Sequence, residues 1–560
     1  MVIMSPSTVS TINQLPNELL SEIFLTYREV TRPLMTFSRH RAPWWEKAFW
    51  WVDIMLVCCH WRAVALATVD LWKTIVVSTP EIPSFSDDKS AVISCKRSMA
   101  LRWLDVVLSR TSNAPLRLAF EDKILAQTAL PIISDKSLRI HSLKIKNALT
   151  MWDDRGASGP KCDPAGFVVT LAMPALEELQ LLSNPGVRTS FLDTPAGRFA
   201  DISVPRYPAL RVLRISNFAL PETLMDLLTQ LYTIDLRFCT IEGSGKRSPS
   251  DLLDILAKCP SLVELRLDGV LRTFTRPWRA TSGSRPHQLA KLRRLSILDA
   301  PHLCADFLSA VTLTPENIVN IRITGVIEET ADLFDIPALF ASLLPVDRSA
   351  LWWLTEAYSV YVNNWWGNSF IECRAGGATI KLCLEDLGEY MPPTNLVGYL
   401  DAICELFADA PVRALDVTGH LDDVQDPLTW TRTFAHFPLV GTLSVGCDQS
   451  AVLAVLGIRT SAAFSLQIEE TGAAGKAGEM TVLPRLTKLS FECVDWEPRL
   501  VDEILDTLRW RGKCGAPRLE ELVLEPNVKE ADVEAFLQYV GEREGEMSSY
   551  VHKFEWRMLE

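Results

Sequence analysis

The strongest constraint on this chain is a short apolar pattern, apolar-x-x-apolar-x-apolar, that returns again and again through its length. It reads Ile140/Leu143/Ile145, Leu176/Leu179/Leu181, Leu210/Leu213/Ile215, Leu231/Ile234/Leu236, Leu262/Leu265/Leu267, Leu292/Leu295/Ile297 and Ile318/Ile321/Ile323. After a gap it resumes as Val412/Leu415/Val417, Val440/Leu443/Val445, Leu486/Leu489/Phe491 and Leu519/Leu522/Leu524. Two or three such hexamers arise by chance in any apolar protein. Eleven, several introduced by Pro-x (Pro174, Pro208, Pro260, Pro484, Pro517), are hard to obtain that way. In each unit the three apolar side chains point into a shared core and the residues between them face solvent. One unit cannot bury its face alone, so neighbours have to stack in register.

The pattern resembles the Leu-x-x-Leu-x-Leu strand of leucine-rich repeats, in an irregular form. That resemblance implies an α/β repeat, a solenoid spanning residues 95–560. Apolar residues at helical spacing in 224–230, 251–258 and 501–509 suit helices on its convex side. Unequal repeat spacing implies inserted loops at 150–168, 272–287, 327–382 and 469–483. Helix 99–109, with Leu101, Leu104, Val107 and Leu108, is expected to cap the open end, which would otherwise expose core to water. Leu116, Leu118 and Phe120 alternate as a first strand. Residues 78–94, rich in Pro, Ser and Asp towards their start, read as a linker.

The N-terminal 10–77 has a different texture. Leu15-Pro16-Asn17-Glu18-Leu19-Leu20-Ser21-Glu22-Ile23-Phe24 starts an amphipathic helix, with Pro16 where a missing N–H costs nothing. Leu56-Val57-Cys58-Cys59-His60-Trp61-Arg62-Ala63-Val64-Ala65 is a second apolar helix, closed by Leu71-Trp72. Together they resemble the F-box of fungal-type F-box proteins. The resemblance implies a small helical F-box that docks the Skp-family adaptor, and through it a cullin, using Leu15, Pro16, Leu19, Ile23, Val57, Cys58 and Trp61. It makes the chain a substrate-recognition subunit of a Skp–cullin–F-box ubiquitin ligase. A free-standing leucine-rich-repeat interaction scaffold, with these helices as a mere cap, is the alternative. Residues 26–53 form a longer insertion than the family's short connection. Their Trp44-Trp45 and Trp50-Trp51 beside Arg28, Arg32, Arg39, Arg41 and Lys47 suit packing on the parent helices or binding of an acidic partner.

Substrate choice would fall on the solvent side of the strands. Between the second and third apolar positions stand Lys144, Gln180, Arg214, Asp235, Arg266, Ser296 and Arg322. Four of these seven are basic, so Lys144, Arg214, Arg266 and Arg322 suit an acidic or phosphorylated protein substrate. A merely solvated strand face is the other reading. The aromatics Trp352-Trp353, Tyr358, Tyr361 and Trp365-Trp366 suit either burial under an irregular repeat or a partner anchor.

Composition removes other classes. At 560 residues the chain exceeds one ordinary core, and 48% hydrophobic with 22% charged residues describes a folded protein. A net charge of −13 disfavours a nucleic-acid partner. The most apolar stretch, 49–72, is broken by Asp53, His60, Arg62 and Asp70, so no membrane span is expected. The N-terminus lacks a basic and apolar leader pattern, so a cytoplasmic or nuclear setting is expected. The 13 cysteines contain no Cys-x-x-Cys and suit small buried hydrophobes. The eight histidines lack metal spacing, so neither metal nor cofactor is expected. Gly243-Ser244-Gly245-Lys246 fails as a phosphate loop, because Thr240 stands at the first glycine position and Arg247 follows the lysine. It reads as a turn. No Gly-x-Ser-x-Gly elbow exists, and no enzyme is expected.

Overall fold

The computed structural model describes residues 15–38, 50–77, 89–120, 123–146, 171–182, 202–241, 248–274, 286–327, 335–365, 368–386, 396–419, 426–446, 449–457, 482–495, 498–528 and 532–557. The chain is mixed α/β and divides into two compact units, Met1–Arg279 and Ala280–Glu560.

The first unit begins with helices α1 (Asn17–Ser38), a 3-10 turn (Trp50–Leu56), α2 (Cys59–Ala67) and α3 (Val69–Trp72). Strand β1 (Thr74–Val77), helix α4 (Lys89–Arg110), β2 (Leu116–Phe120), α5 (Lys123–Ser134), β3 (Ile140–Lys146) and β4 (Glu178–Leu182) follow. The unit closes with β5 (Val212–Ser216), α6 (Leu224–Leu228), β6 (Thr233–Arg237), α7 (Pro249–Leu256) and β7 (Glu264–Asp268). From β1 to β7 each strand pairs in parallel with the next in the chain.

The second unit runs β8 (Arg294–Asp299), α8 (Pro301–Ala310), β9 (Asn320–Ile327), α9 (Ile336–Ser342), α10 (Trp352–Thr355), β10 (Ala357–Trp365), β11 (Asn368–Ala375) and β12 (Ala378–Asp386). It continues through α11 (Leu396–Leu406), β13 (Ala414–Gly419), α12 (Pro427–His436), β14 (Thr442–Gly446), α13 (Gln449–Leu456) and β15 (Lys488–Asp495). Helix α14 (Pro498–Lys513), β16 (Leu519–Asn527), α15 (Val533–Tyr550) and β17 (Val551–Trp556) complete it. The strands lie in the order β8-β9-β12-β11-β10-β13-β14-β15-β16-β17. Only β12–β11 and β11–β10 are antiparallel.

Every one of the eleven apolar hexamers falls on one of these parallel strands or the turn entering it. None of their 33 side chains is more than 5% exposed. Removing each from water contributes about 1.5–3 kcal/mol. Register aligns like with like: Leu143, Leu179, Leu213, Ile234 and Leu265 form one row, and Ile145, Leu181, Ile215, Leu236 and Leu267 the next. The leading apolar residue closes a turn: the N–H groups of Leu176, Leu210, Leu231, Leu262, Leu292, Val440 and Leu486 each donate to the carbonyl three residues back. That turn explains the Pro-x that precedes several hexamers, since Pro fixes a turn-compatible φ.

Helices α7, α9 and α12 open on side-chain caps from Ser248, Asp335 and Asp426. For α7 the cap is a reciprocal box with Asp251 and Pro249 follows in the first turn. No described helix is long and apolar enough to cross a membrane.

Three sequence expectations are corrected. The loop expected over 327–382 instead holds α9, α10 and the β10–β11–β12 meander. Its turn is Gly376-Gly377, both at positive φ, between the paired Ala375 and Ala378. Such a two-residue glycine turn fixes a hairpin directly. The expected linker 78–94 ends early, because α4 begins at Lys89 rather than near residue 99; past Pro83 nothing in the sequence opposes a helix. The insertion expected from residue 26 begins as more helix, with α1 running on through Pro33 to Ser38. Gly243–Lys246, Trp44, Trp45 and the expected loop 150–168 lie outside the described residues.

Candidate functional site

Helix α1 is apolar on two faces, and among the described residues only one of them is buried. Leu20, Phe24 and Arg28, spaced by four, are buried. The Phe24 ring meets Trp61 of α2 at 5.2 Å between centroids. Arg28 Nη1 donates to the Asp70 carbonyl at 2.7 Å, and Nη2 reaches Glu29 Oε1 at 2.8 Å. Ser21 and Thr68 hydroxyls share a 2.8 Å hydrogen bond, and Trp72 Nε1 donates to the Ala65 carbonyl at 3.0 Å. Arg62 Nε donates to the Met55 carbonyl at 3.1 Å, tying the 3-10 turn to α2. These bonds fix α1 against α2 and α3.

The opposite face of α1 is uncovered. Leu19 is 52% exposed, Ile23 42% and Val30 62%. With Leu15, Glu22, Thr26 and Tyr27 they line an open cleft of about 540 Å³. A single exposed Leu needs no explanation, but a contiguous apolar stripe on a packed helix marks a binding surface.

The residues expected to dock a partner therefore separate. Leu15, Leu19 and Ile23 come together in the cleft. Pro16 is exposed at the helix start, its carbonyl accepting from Leu20 N–H at 3.1 Å. Val57 is exposed at 59% but does not line the cleft. Cys58 caps α2, its Sγ accepting from Trp61 N–H at 3.4 Å. Trp61 is half-buried against Phe24, so it braces the far side of α1 instead of lining the cleft. Tyr27 and Val30 were missed because the sequence places the end of the helix before them. The i, i+4 continuation from Leu15 through Leu19 and Ile23 to Tyr27 was the available signal.

On the strands, the residues between the apolar positions do form one row. Lys144, Gln180, Arg214, Asp235 and Arg266 are register partners from β3 to β7. Within that row charge is internally matched. Arg214 lies 3.6 Å from Glu264, Arg266 reaches Asp268 at 2.6 Å and Asp235 at 3.9 Å, and Arg237 grips Asp235 at 2.7 Å. The Asp235 hydrogen bond holds the Arg237 guanidinium above its usual range. Burial pushes the Asp268 carboxyl up, and Arg266 pulls it back. The free basic face expected at Arg214 and Arg266 is thus a set of ion pairs.

The second unit has a row of its own, differently composed. Ser296, Arg322, Lys381, Glu372, Tyr361, Asp416, Ser444 and Ser490 are successive register partners. Arg322 is exposed. Lys381 Nζ sits 3.2 Å from the Phe370 ring centroid, and Phe370 meets Tyr361 edge-on at 5.5 Å. Burial, with Glu492 nearby, pushes Asp416 up to about 7, and Ser444 opposes the shift. Ser444 Oγ donates to Glu492 Oε1 at 2.8 Å.

The aromatics near 352–366 split: Trp353 is fully buried, whereas Tyr358 and Trp365 are exposed. Among ten described cysteines six are buried, with Cys239 pushed up to about 12 and Cys259 to about 11 by burial. Among the described residues no His, Cys, Asp or Glu cluster could hold a metal.

No protein-family model matches the chain, and no curated protein matches it significantly.

Proposed function

We propose that this chain is the substrate-recognition subunit of a Skp–cullin–F-box type ubiquitin ligase. In that reading residues 10–77 are an F-box-like helical domain and residues 95–560 an irregular leucine-rich-repeat-like solenoid. The carrying observation is the uncovered apolar face of α1, with Leu19 and Ile23 exposed while the opposite face is locked against α2 and α3. A mere cap would turn that stripe onto the chain's own strands. Left outside, it suits an adaptor that buries it. The register row of polar side chains along the strands suits a protein substrate, held so that a ubiquitin-loaded partner acts by proximity. Because Arg214 and Arg266 are already paired, an acidic or phosphorylated substrate has to displace Glu264, Asp235 or Asp268 there; Lys144 belongs to the same row of the first unit and Arg322 to the row of the second.

Co-purification of the full chain with a Skp-family adaptor tests this reading, beside a Leu19→Asp variant. A stable complex that the variant loses is expected. A folded wild type that ignores the adaptor would leave a repeat-built interaction scaffold.

A further inference from the structure

We propose that the docking cleft extends beyond the F-box-like motif to Val30 and receives one partner helix of about fifteen residues with a basic flank. This rests on the reading above and deepens it. The motif ends at Phe24, but α1 does not. Leu15, Leu19, Ile23, Tyr27 and Val30 follow one another at four-, four-, four- and three-residue steps, which keeps them on a single stripe. At about 1.5 Å per residue the stripe is about 22 Å long, a run that a straight partner helix of similar length covers. A cleft running along one helix favours that mode over an extended strand, which needs an unpaired sheet edge.

The charge around the cleft narrows the partner. Between residues 15 and 30 the charged side chains are Glu18, Glu22, Arg28 and Glu29. Arg28, the one cation, is buried and bonded to the Asp70 carbonyl and Glu29. Glu22 lines the cleft itself, and Glu18 is exposed one turn earlier. Among the described residues the rim is therefore acidic, and complementarity calls for Lys or Arg beside the partner's apolar row. Tyr27 at the centre of the added half brings an aromatic ring, the side-chain type that carries most binding energy at such surfaces.

Titration of purified adaptor into the full-length chain, comparing wild type, Leu19→Asp, Tyr27→Ala/Val30→Ala and Glu22→Lys, separates the possibilities. Loss of binding in Leu19→Asp is expected. The double variant should bind about tenfold or more weakly with an unchanged unfolding transition, because both side chains are exposed. Glu22→Lys should weaken binding, with a smaller salt dependence than wild type. If the double variant unfolds early, Val30→Glu alone replaces it. Leu19→Asp losing binding while the double variant and Glu22→Lys keep wild-type affinity would overturn the extension and leave the ligase reading standing. A wild type that ignores the adaptor overturns both, and self-association abolished by Leu19→Asp would then identify a second copy as the occupant.

Discussion

The polar strand rows of the two units face the same problem and resolve it oppositely. In the first unit three carboxyls at or beside the row are answered by guanidiniums: Asp235 by Arg237 and Arg266, Asp268 by Arg266, Glu264 by Arg214. In the second, Asp416 has Ser444, Tyr361 and the acidic Glu492 around it, and burial raises it to about 7. A register row of strand side chains therefore holds an ion-pair ladder in one unit and a carboxyl raised to about 7 in the other. What decides is which side chains stand two residues along the same strand and directly opposite on the next, Arg237 and Arg266 for Asp235 and Ser444 for Asp416.

Removing an acid from each row should have opposite signs. Asp235→Ala strands the Arg237 guanidinium, 33% exposed, while Arg266 keeps Asp268, and should destabilise the first unit by roughly 1–2 kcal/mol, less than breaking a fully buried pair would cost. Chemical denaturation reads this; a stabilised Asp235→Ala would break the comparison. Asp416→Asn removes a carboxyl that resists ionisation and lets its amide donate to Glu492. Roughly 1 kcal/mol of stabilisation at pH 8, and little change at pH 5, is expected.

The same shift gives wild type a pH dependence. The folded Asp416 value of about 7 lies above the unfolded one near 3.8. Its contribution is thus fully present below about pH 4, declines as pH rises, and is gone above about pH 7. Melting of the second unit should fall between pH 5 and pH 8, and Asp416→Asn should flatten that slope. The smallest effect is expected at Glu555, held at about 2 by Arg557 and Lys553 at a half-exposed surface position. Glu555→Gln should leave the melting transition unmoved; a clear shift would mean that surface pairing, not burial, sets the difference between the rows.

The eleven hexamers were legible because burial selects the apolar residue types directly, as Leu213 and Ile234 show side by side in register. The β10–β12 meander was not. Its strands carry Tyr358, Tyr361 and Trp365 on exposed or half-exposed positions, which blurs the alternation, and the Gly376-Gly377 turn that fixes them is only two residues long. In the candidate site, Leu15, Leu19 and Ile23 were readable from spacing. That Trp61 packs on Phe24 was not readable, because an amphipathic helix with apolar residues on two faces gives no sign of which face turns inward. Arg214 and Arg266 looked free because their partners Glu264, Asp235 and Asp268 lie on other strands or two residues along, and periodicity does not show which charges register brings together.

The central claim is that α1 presents Leu15–Val30 to an adaptor. Amide hydrogen exchange of the full chain, with and without saturating Skp-family adaptor, tests it most directly. Added protection should concentrate in residues 15–30, with β3 to β7 unchanged. Exchange in 15–30 that the adaptor leaves untouched would contradict it.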